Sequence, residues 1–227
     1  MFKVIAIDGP SGVGKSTISK LIAERLGFVY LDTGSFYRAV ALYLLRKGLG
    51  DKCTDDEIKK ELIGVDITFK DGRVYLKEGV GSEEDVTDKI RTPEVGHYAS
   101  LFSAKKIIRD FLFNVQREVA KMNNVVAEGR DMTTVVFPDA WRKFYLDASL
   151  DIRVKRRFFQ LRGQGMEVTI GDALRDVKER DIRDSSRDIA PLMKAEDAIY
   201  IDTTNLSIEE VIQKMLRFIC LDNEMPL

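Results

Sequence analysis

The chain has 227 residues, 44% of them hydrophobic and 32% charged, enough for a substantial core beneath a very polar surface, in one domain or two small ones. A net charge of −1 excludes a global basic field that would draw the chain to nucleic acid or an anionic membrane. No apolar run approaches the ~18 residues a transmembrane helix needs. The lone histidine, His97, excludes a zinc site built on histidines, gives no support to a Ser-His-Asp or Cys-His triad, and reads as a helix-surface or packing residue.

Two unclustered cysteines, Cys53 and Cys220, fit a reducing compartment, and the N-terminus opens directly into a strand. A cytoplasmic enzyme is therefore expected. That strand is residues 3–8. Next come Gly9, Pro10, Ser11, Gly12, Val13, Gly14, Lys15 and Ser16, fitting G-x-x-x-x-G-K-[ST] at every fixed position. Small residues let the loop curl its N–H groups onto phosphate oxygens, and the following helix turns its positive dipole end to the same anion. Residues 9–17, with Thr17 as the last, are the candidate ATP-binding segment. Within it Lys15 reaches the β- and γ-phosphates and Ser16 ligates Mg²⁺.

Residues 17–26 have a helical apolar period that ends at Gly27, a helix C-cap. Residues 28–31 read as a strand, and the cluster at 32–35 opens a helix to about residue 47. A short helix at 54–62 and a hairpin at 65–80, turning on Asp71-Gly72, interrupt the strand–helix alternation, so 51–91 is expected to be an insert. One long helix is expected from Pro93 to about Met122. Strands follow at 125–127, 143–147 and 198–202, charged helices at 149–163 and 169–187, and a last helix at 208–219 with a Ser207/Glu210 capping box. Five apolar strands separated by helices predict an α/β fold with a parallel sheet covered on both faces.

Ligands in such sheets bind beyond the carboxyl ends of the strands. Those ends carry the phosphate loop, then Asp32-Thr33-Gly34 with Arg38 one turn on, then Glu128-Gly129-Arg130-Asp131. Arginines there point to a second anion, because a guanidinium grips phosphate bidentately and stays charged. Arg153, Arg156 and Arg157 share one helix face, as do Arg180, Asp184 and Arg187 on the next helix. Such spacings also suit ordinary surface ion pairs, namely Asp176/Arg180, Glu179/Arg183 and Arg180/Asp184, each contributing only ~0.2–0.5 kcal/mol. The neighbouring phosphate loop favours a functional role.

Residues 7–16, the run Leu31-Asp32-Thr33-Gly34 with Tyr37-Arg38, and Gly129-Arg130-Asp131-Met132 with residues 134–140 together resemble bacterial cytidylate kinases. The run from Lys178 through Asp184 and Arg187 to Leu192 is similar to the same family, and the resemblance covers about residues 3–215. It implies a P-loop, nucleoside-monophosphate-kinase-like fold: a five-stranded parallel core, an NMP-binding insert and a helical lid. The core would comprise 1–50, 92–148 and 188–227, the insert 51–91, and the lid with its following helix 149–187, of which 149–163 would close over both nucleotides. The implied reaction is ATP + (d)CMP → ADP + (d)CDP with Mg²⁺, by a monomer whose partners are small-molecule nucleotides, not nucleic acid or membrane. The resemblance assigns Thr33, Arg38, Arg130 and Arg187 to the CMP phosphate region, and Arg180 and Asp184 to ribose and phosphate. It assigns Ser100, Arg109 and Asp131 to the cytosine, and Arg153 and Arg157 to the ATP phosphates. Lys15, Arg130, Arg187, Arg153 and Arg157 form the catalytic set.

The chemistry of cytosine agrees, since a carboxylate accepts from its amino group while an arginine or hydroxyl donates to its ring acceptors. Ser100 and Arg109, nine residues apart on one helix, would point to different sides unless that helix bends or breaks near Ser103. Two positions depart from the family pattern: Thr133 replaces a common glycine and could crowd the backbone, and Glu128 replaces a common aspartate. A UMP or AMP kinase is a competing reading, against which Asp131 would face the uracil carbonyl. A nucleotide-driven switch protein would want a guanine-reading N-K-x-D, which the chain lacks.

Overall fold

The computed structural model describes residues 2–220; the polar tail and the end of the expected core segment at 227 lie outside the described residues. Chain order runs β1 (Val4–Asp8), α1 (Lys15–Leu26), β2 (Val29–Asp32), α2 (Thr33–Arg46), α3 (Asp55–Leu62), β3 (Val65–Lys70), β4 (Arg73–Glu78), β5 (Glu84–Asp85), α4 (Pro93–Phe102) and α5 (Lys106–Met122). It continues with β6 (Val125–Glu128), β7 (Arg142–Asp147), α6 (Leu150–Gly163), α7 (Ile170–Ser186), β8 (Ile199–Asp202) and α8 (Ile208–Cys220).

Five strands form one sheet in the order β2–β6–β1–β7–β8, every pairing parallel. Alternation along β1 sorts the two faces. Ile5 and Ile7 pack with Ile18 and Ile22 of α1 and Val211 and Met215 of α8. Ala6 packs in a second cluster with Leu31, Phe36, Leu44 and Leu112. Register aligns Asp32 with Glu128 and Ile7 with Glu128, so three polar strand ends open side by side. The expected five-stranded parallel core is therefore present, and the crossover order is what gathers the candidate site.

Residues 51–91 form α3 and a separate antiparallel sheet, β3–β4–β5. Asp71 and Gly72 take left-handed φ values of 52° and 77°, the tight turn that the dipeptide favours. The two-residue strand β5 is an addition to the expected hairpin. Ile58, Leu62, Val65 and Ile67 join the same apolar cluster as Leu31 and Phe36, so the insert shares the main core. By contrast α6 and α7 pack mainly on each other through Val154, Ala173 and Val177.

The single helix expected from Pro93 to Met122 is corrected to two. Tight turns from Ala104 N–H to Leu101 O and from Lys105 N–H to Phe102 O end α4, and Lys105 is extended, with ψ 126°, before α5 begins. Neither glycine nor proline marks the break, so the apolar period reads through it.

Candidate active site

The carboxyl ends of β1, β2 and β6 open into a cleft of about 600 Å³, walled by the phosphate loop, α4, α6 and α7. Ser11 through Ile18 line it, whereas Gly9 and Pro10 lie behind. Gly9 is demanded by packing: a Cβ there would sit 2.1 Å from the carbonyl oxygen of Leu146, and its φ is 151°. The Lys15 ammonium donates to the carbonyls of Gly9 at 2.6 Å and Pro10 at 2.8 Å. Burial, with the charge of Arg130 nearby, lowers the Lys15 pKa to about 7.

The Ser16 hydroxyl neighbours the Glu128 carboxylate, which accepts from Tyr30 Oη at 2.9 Å. Burial, and then the neighbouring charge of Asp32, raise the Glu128 pKa. These are hard oxygen donors of the kind Mg²⁺ takes, and no cluster of three or more acidic, histidine or cysteine side chains suited to a metal occurs among the described residues. A Mg²⁺ ion here would lean on phosphates and water.

Thr33 is buried and its hydroxyl donates to Glu128 O at 2.7 Å. Gly129 must be small beneath it, since a Cβ would lie 2.8 Å from Thr33 Oγ1 and 2.9 Å from Met132 Cε. Arg38 lines the cleft through room left by Gly96, whose Cβ would meet the Arg38 guanidinium at 2.7 Å.

The break after α4 resolves the geometry of Ser100, Arg109 and Asp131, the trio expected to read the base. Ser100 and Arg109 both line the cleft, and Arg109 Nη1 donates to the Ser103 carbonyl at 3.0 Å. Its other nitrogen pairs with the buried Asp131 carboxylate, while its guanidinium lies 5.6 Å from the Tyr37 ring centroid. Arg187 approaches the other Asp131 oxygen at 3.9 Å.

Arg130 Nε donates to Asp184 at 2.7 Å, and Asp176 bridges Arg157 at 2.7 Å and Arg180 at 3.0 Å. Burial lowers the Arg180 pKa to about 10. Burial also lowers that of Arg38, with Arg91, Arg157 and Arg130 adding repulsion. Arg187 Nε donates to Ala190 O at 2.6 Å, but its Nη2 is buried without a hydrogen-bond partner. Lys15 and eight arginines (38, 91, 109, 130, 156, 157, 180 and 187) line this cleft against four carboxylates, Asp32, Glu128, Asp131 and Asp184, an imbalance that suits polyanions.

Three expectations need correction. Arg153 does not line the cleft: its Nε donates to Ala148 O at 3.0 Å, its Nη1 to Ser11 O at 3.2 Å, and it pairs with Asp181, whose other oxygen accepts from Ser11 N–H. It fastens the phosphate loop from behind, and Arg156 takes its place in the lining, bonded to Val13 O and Thr203. The surface pair expected between Arg180 and Asp184 is replaced by Arg130–Asp184. Thr133 does not crowd the backbone: its hydroxyl and N–H both reach Asp8 at 2.7 Å, beside the Met132 N–H at 2.9 Å. Arg91, paired with Asp32 at 3.0 Å, and Arg156 were missed as lining residues; the shared face of 153, 156 and 157 was the available signal for the latter. The cysteines are both free, and His97 is exposed on α4.

The sequence profile of the family described as "Cytidylate kinase" matches residues 5–220. The chain belongs to the cytidylate kinase family. A cytidylate kinase of Thermodesulfovibrio yellowstonii is 54% identical over 226 residues, covering 98% of this chain and 100% of that one. One from Thermotoga neapolitana is 47% identical over 215 residues, 95% of this chain and 96% of that one. One from Geobacter sulfurreducens is 45% identical over 212 residues, 93% and 90%. Family membership thus spans the core, the 51–91 insert and the α6–α7 hairpin. No helix among the described residues is long and apolar enough to cross a membrane.

Proposed function

We propose that this enzyme transfers the γ-phosphate of ATP to CMP or dCMP, giving ADP and CDP or dCDP. The observation that carries the proposal is the pairing of two unlike half-sites in one cleft. The phosphate loop with Lys15 and Ser16, the Ser100, Arg109 and Asp131 trio, and a set of guanidiniums all line that cleft.

In this reading the donor phosphates lie on the N–H groups of residues 12–17, with Lys15 leaving the loop carbonyls for phosphate oxygens. Arg157 and Arg156 approach from α6. The acceptor phosphate meets Arg38, Arg130 and Arg187, where the unpartnered Arg187 Nη2 gains an oxygen, and Thr33 lies at its edge. Arg180 and Asp184 hold the sugar side. Ser16 and Glu128 would hold a Mg²⁺ ion through its waters, and the ion would supply positive charge to the donor phosphates. No protein base is required, because the acceptor is already a phosphate oxygen anion. The side chains align the reactants, balance their charge and exclude water.

We assign residues 149–187 as the lid. Its separate apolar cluster and its reliance on polar ties to the loop, through Arg153, Asp181 and Arg156, suit a unit that moves against the core. With γ-labelled ATP, Mg²⁺ and CMP, label is expected in CDP; release mainly as inorganic phosphate would contradict transfer. Arg130→Ala is expected to lower kcat by roughly 100-fold or more while ATP affinity stays within a few-fold.

A further inference from the structure

Ser100 faces the cleft from α4, and Arg183 stands behind it on α7, outside the lining. Arg183 Nε donates to Ser100 Oγ at 3.1 Å, and its Nη1 lies 3.8 Å from Glu179. A guanidinium carries only donors and keeps its proton, so this bond has one polarity: the serine oxygen accepts. The single hydroxyl hydrogen must then point elsewhere, and none of the described residues accepts it. Ser103 Oγ takes the Ser100 carbonyl instead, at 2.9 Å.

We propose that Arg183 is a specificity-determining positioning residue, which fixes the Ser100 hydroxyl as a hydrogen donor toward ring N3 of the acceptor base. This rests on the cytosine reading above and deepens it. With Arg183 on one of its two lone pairs, the hydroxyl keeps a hydrogen and one lone pair; with the hydrogen directed at N3, cytosine N3 accepts it, whereas the N3–H of uracil meets it donor to donor. A serine without Arg183 could rotate and accept from uracil as readily as it donates to cytosine. The trio's carboxylate is fixed in the same way: Asp131 is held by Arg109 and flanked by Arg187, so it faces the base as an acceptor for the amino group. An arginine outside the contact set thus decides the polarity of a residue inside it, and it does so from α7, the helix that carries Arg180 and Asp184.

The test is kcat/KM for CMP and UMP, with ATP and Mg²⁺, in the wild type, Arg183→Met, Arg183→Lys, Ser100→Ala and the Arg183→Met/Ser100→Ala double variant. Arg183→Met is expected to lower the CMP/UMP ratio about tenfold, mainly through KM, the scale of one mismatched buried hydrogen bond. Arg183→Lys, which keeps a donor, is expected to restore most of the ratio. In the Ser100→Ala background the methionine substitution is expected to leave the ratio unchanged. Equal losses for both substrates in Arg183→Met, or a further tenfold fall in the ratio without Ser100, would overturn the inference. A wild type that prefers UMP would instead overturn the cytosine reading itself, so the two failures are distinguishable.

Discussion

Asp8 is fully buried where β1 meets the phosphate loop, and it accepts three hydrogen bonds from Met132 and Thr133. It therefore ties the donor loop to the turn that presents Arg130 and Asp131. Thr133, read in the sequence as a source of crowding, supplies two of those bonds, and no spacing rule could have paired residues 125 positions apart. Burial raises the Asp8 pKa from 3.8 to about 6 against the opposing pull of these bonds. The folded chain thus holds this proton more tightly than the unfolded chain does. The associated stability is complete below about pH 4 and is lost as pH rises through about 6, an amount of about 3 kcal/mol for two pK units. Denaturant unfolding from pH 4 to 7 is expected to show this slope in the wild type and a flatter one in Asp8→Asn. Parallel curves would show that Asp8 titrates alike in both states.

Among the elements, α6 shows what a face pattern conveys and what it hides. The i, i+3, i+4 arginines were legible, yet only the fold could sort them: Arg153 turns under the loop to Asp181, while Arg156 and Arg157 enter the cleft. Removing one partner of a mostly buried pair is costly, so Arg153→Met is expected to lose about 2–4 kcal/mol of stability and to raise KM for ATP. Arg157→Met is expected to stay within ~1 kcal/mol of the wild type and to lose kcat by roughly 100-fold. Urea unfolding alongside steady-state kinetics separates the two, and the reverse pattern would return Arg153 to the phosphates. The α4–α5 break is the other element that the sequence conceals. Its turns use ordinary residues, and the carbonyl that the break exposes at Ser103 is taken by Arg109 from the far side.

Across the whole molecule, the net charge of −1 conceals a strongly cationic cleft, because acids elsewhere offset it. The parallel core, the β3–β4 hairpin and the paired helices α6 and α7 were legible because each follows from local periodicity and turn chemistry. The joining of strand ends 8, 32 and 128 was legible only through the rule that parallel sheets bind ligands at their carboxyl edge. The Asp176–Arg180 and Glu179–Arg183 pairs were legible from their spacing, but the contacts of Asp176 with Arg157, Asp181 with Ser11 and Arg183 with Ser100 were not, since they depend on how α7 packs against three other parts of the chain. In the proposed reading, these contacts aim the arginines at two anions and the trio at one base. The most direct test of this claim is a panel of kcat/KM values for CMP, dCMP, UMP, AMP and GMP with ATP and Mg²⁺. CMP and dCMP are expected to exceed UMP by about tenfold or more, and the purine nucleotides by more still. UMP or AMP matching CMP would contradict the account.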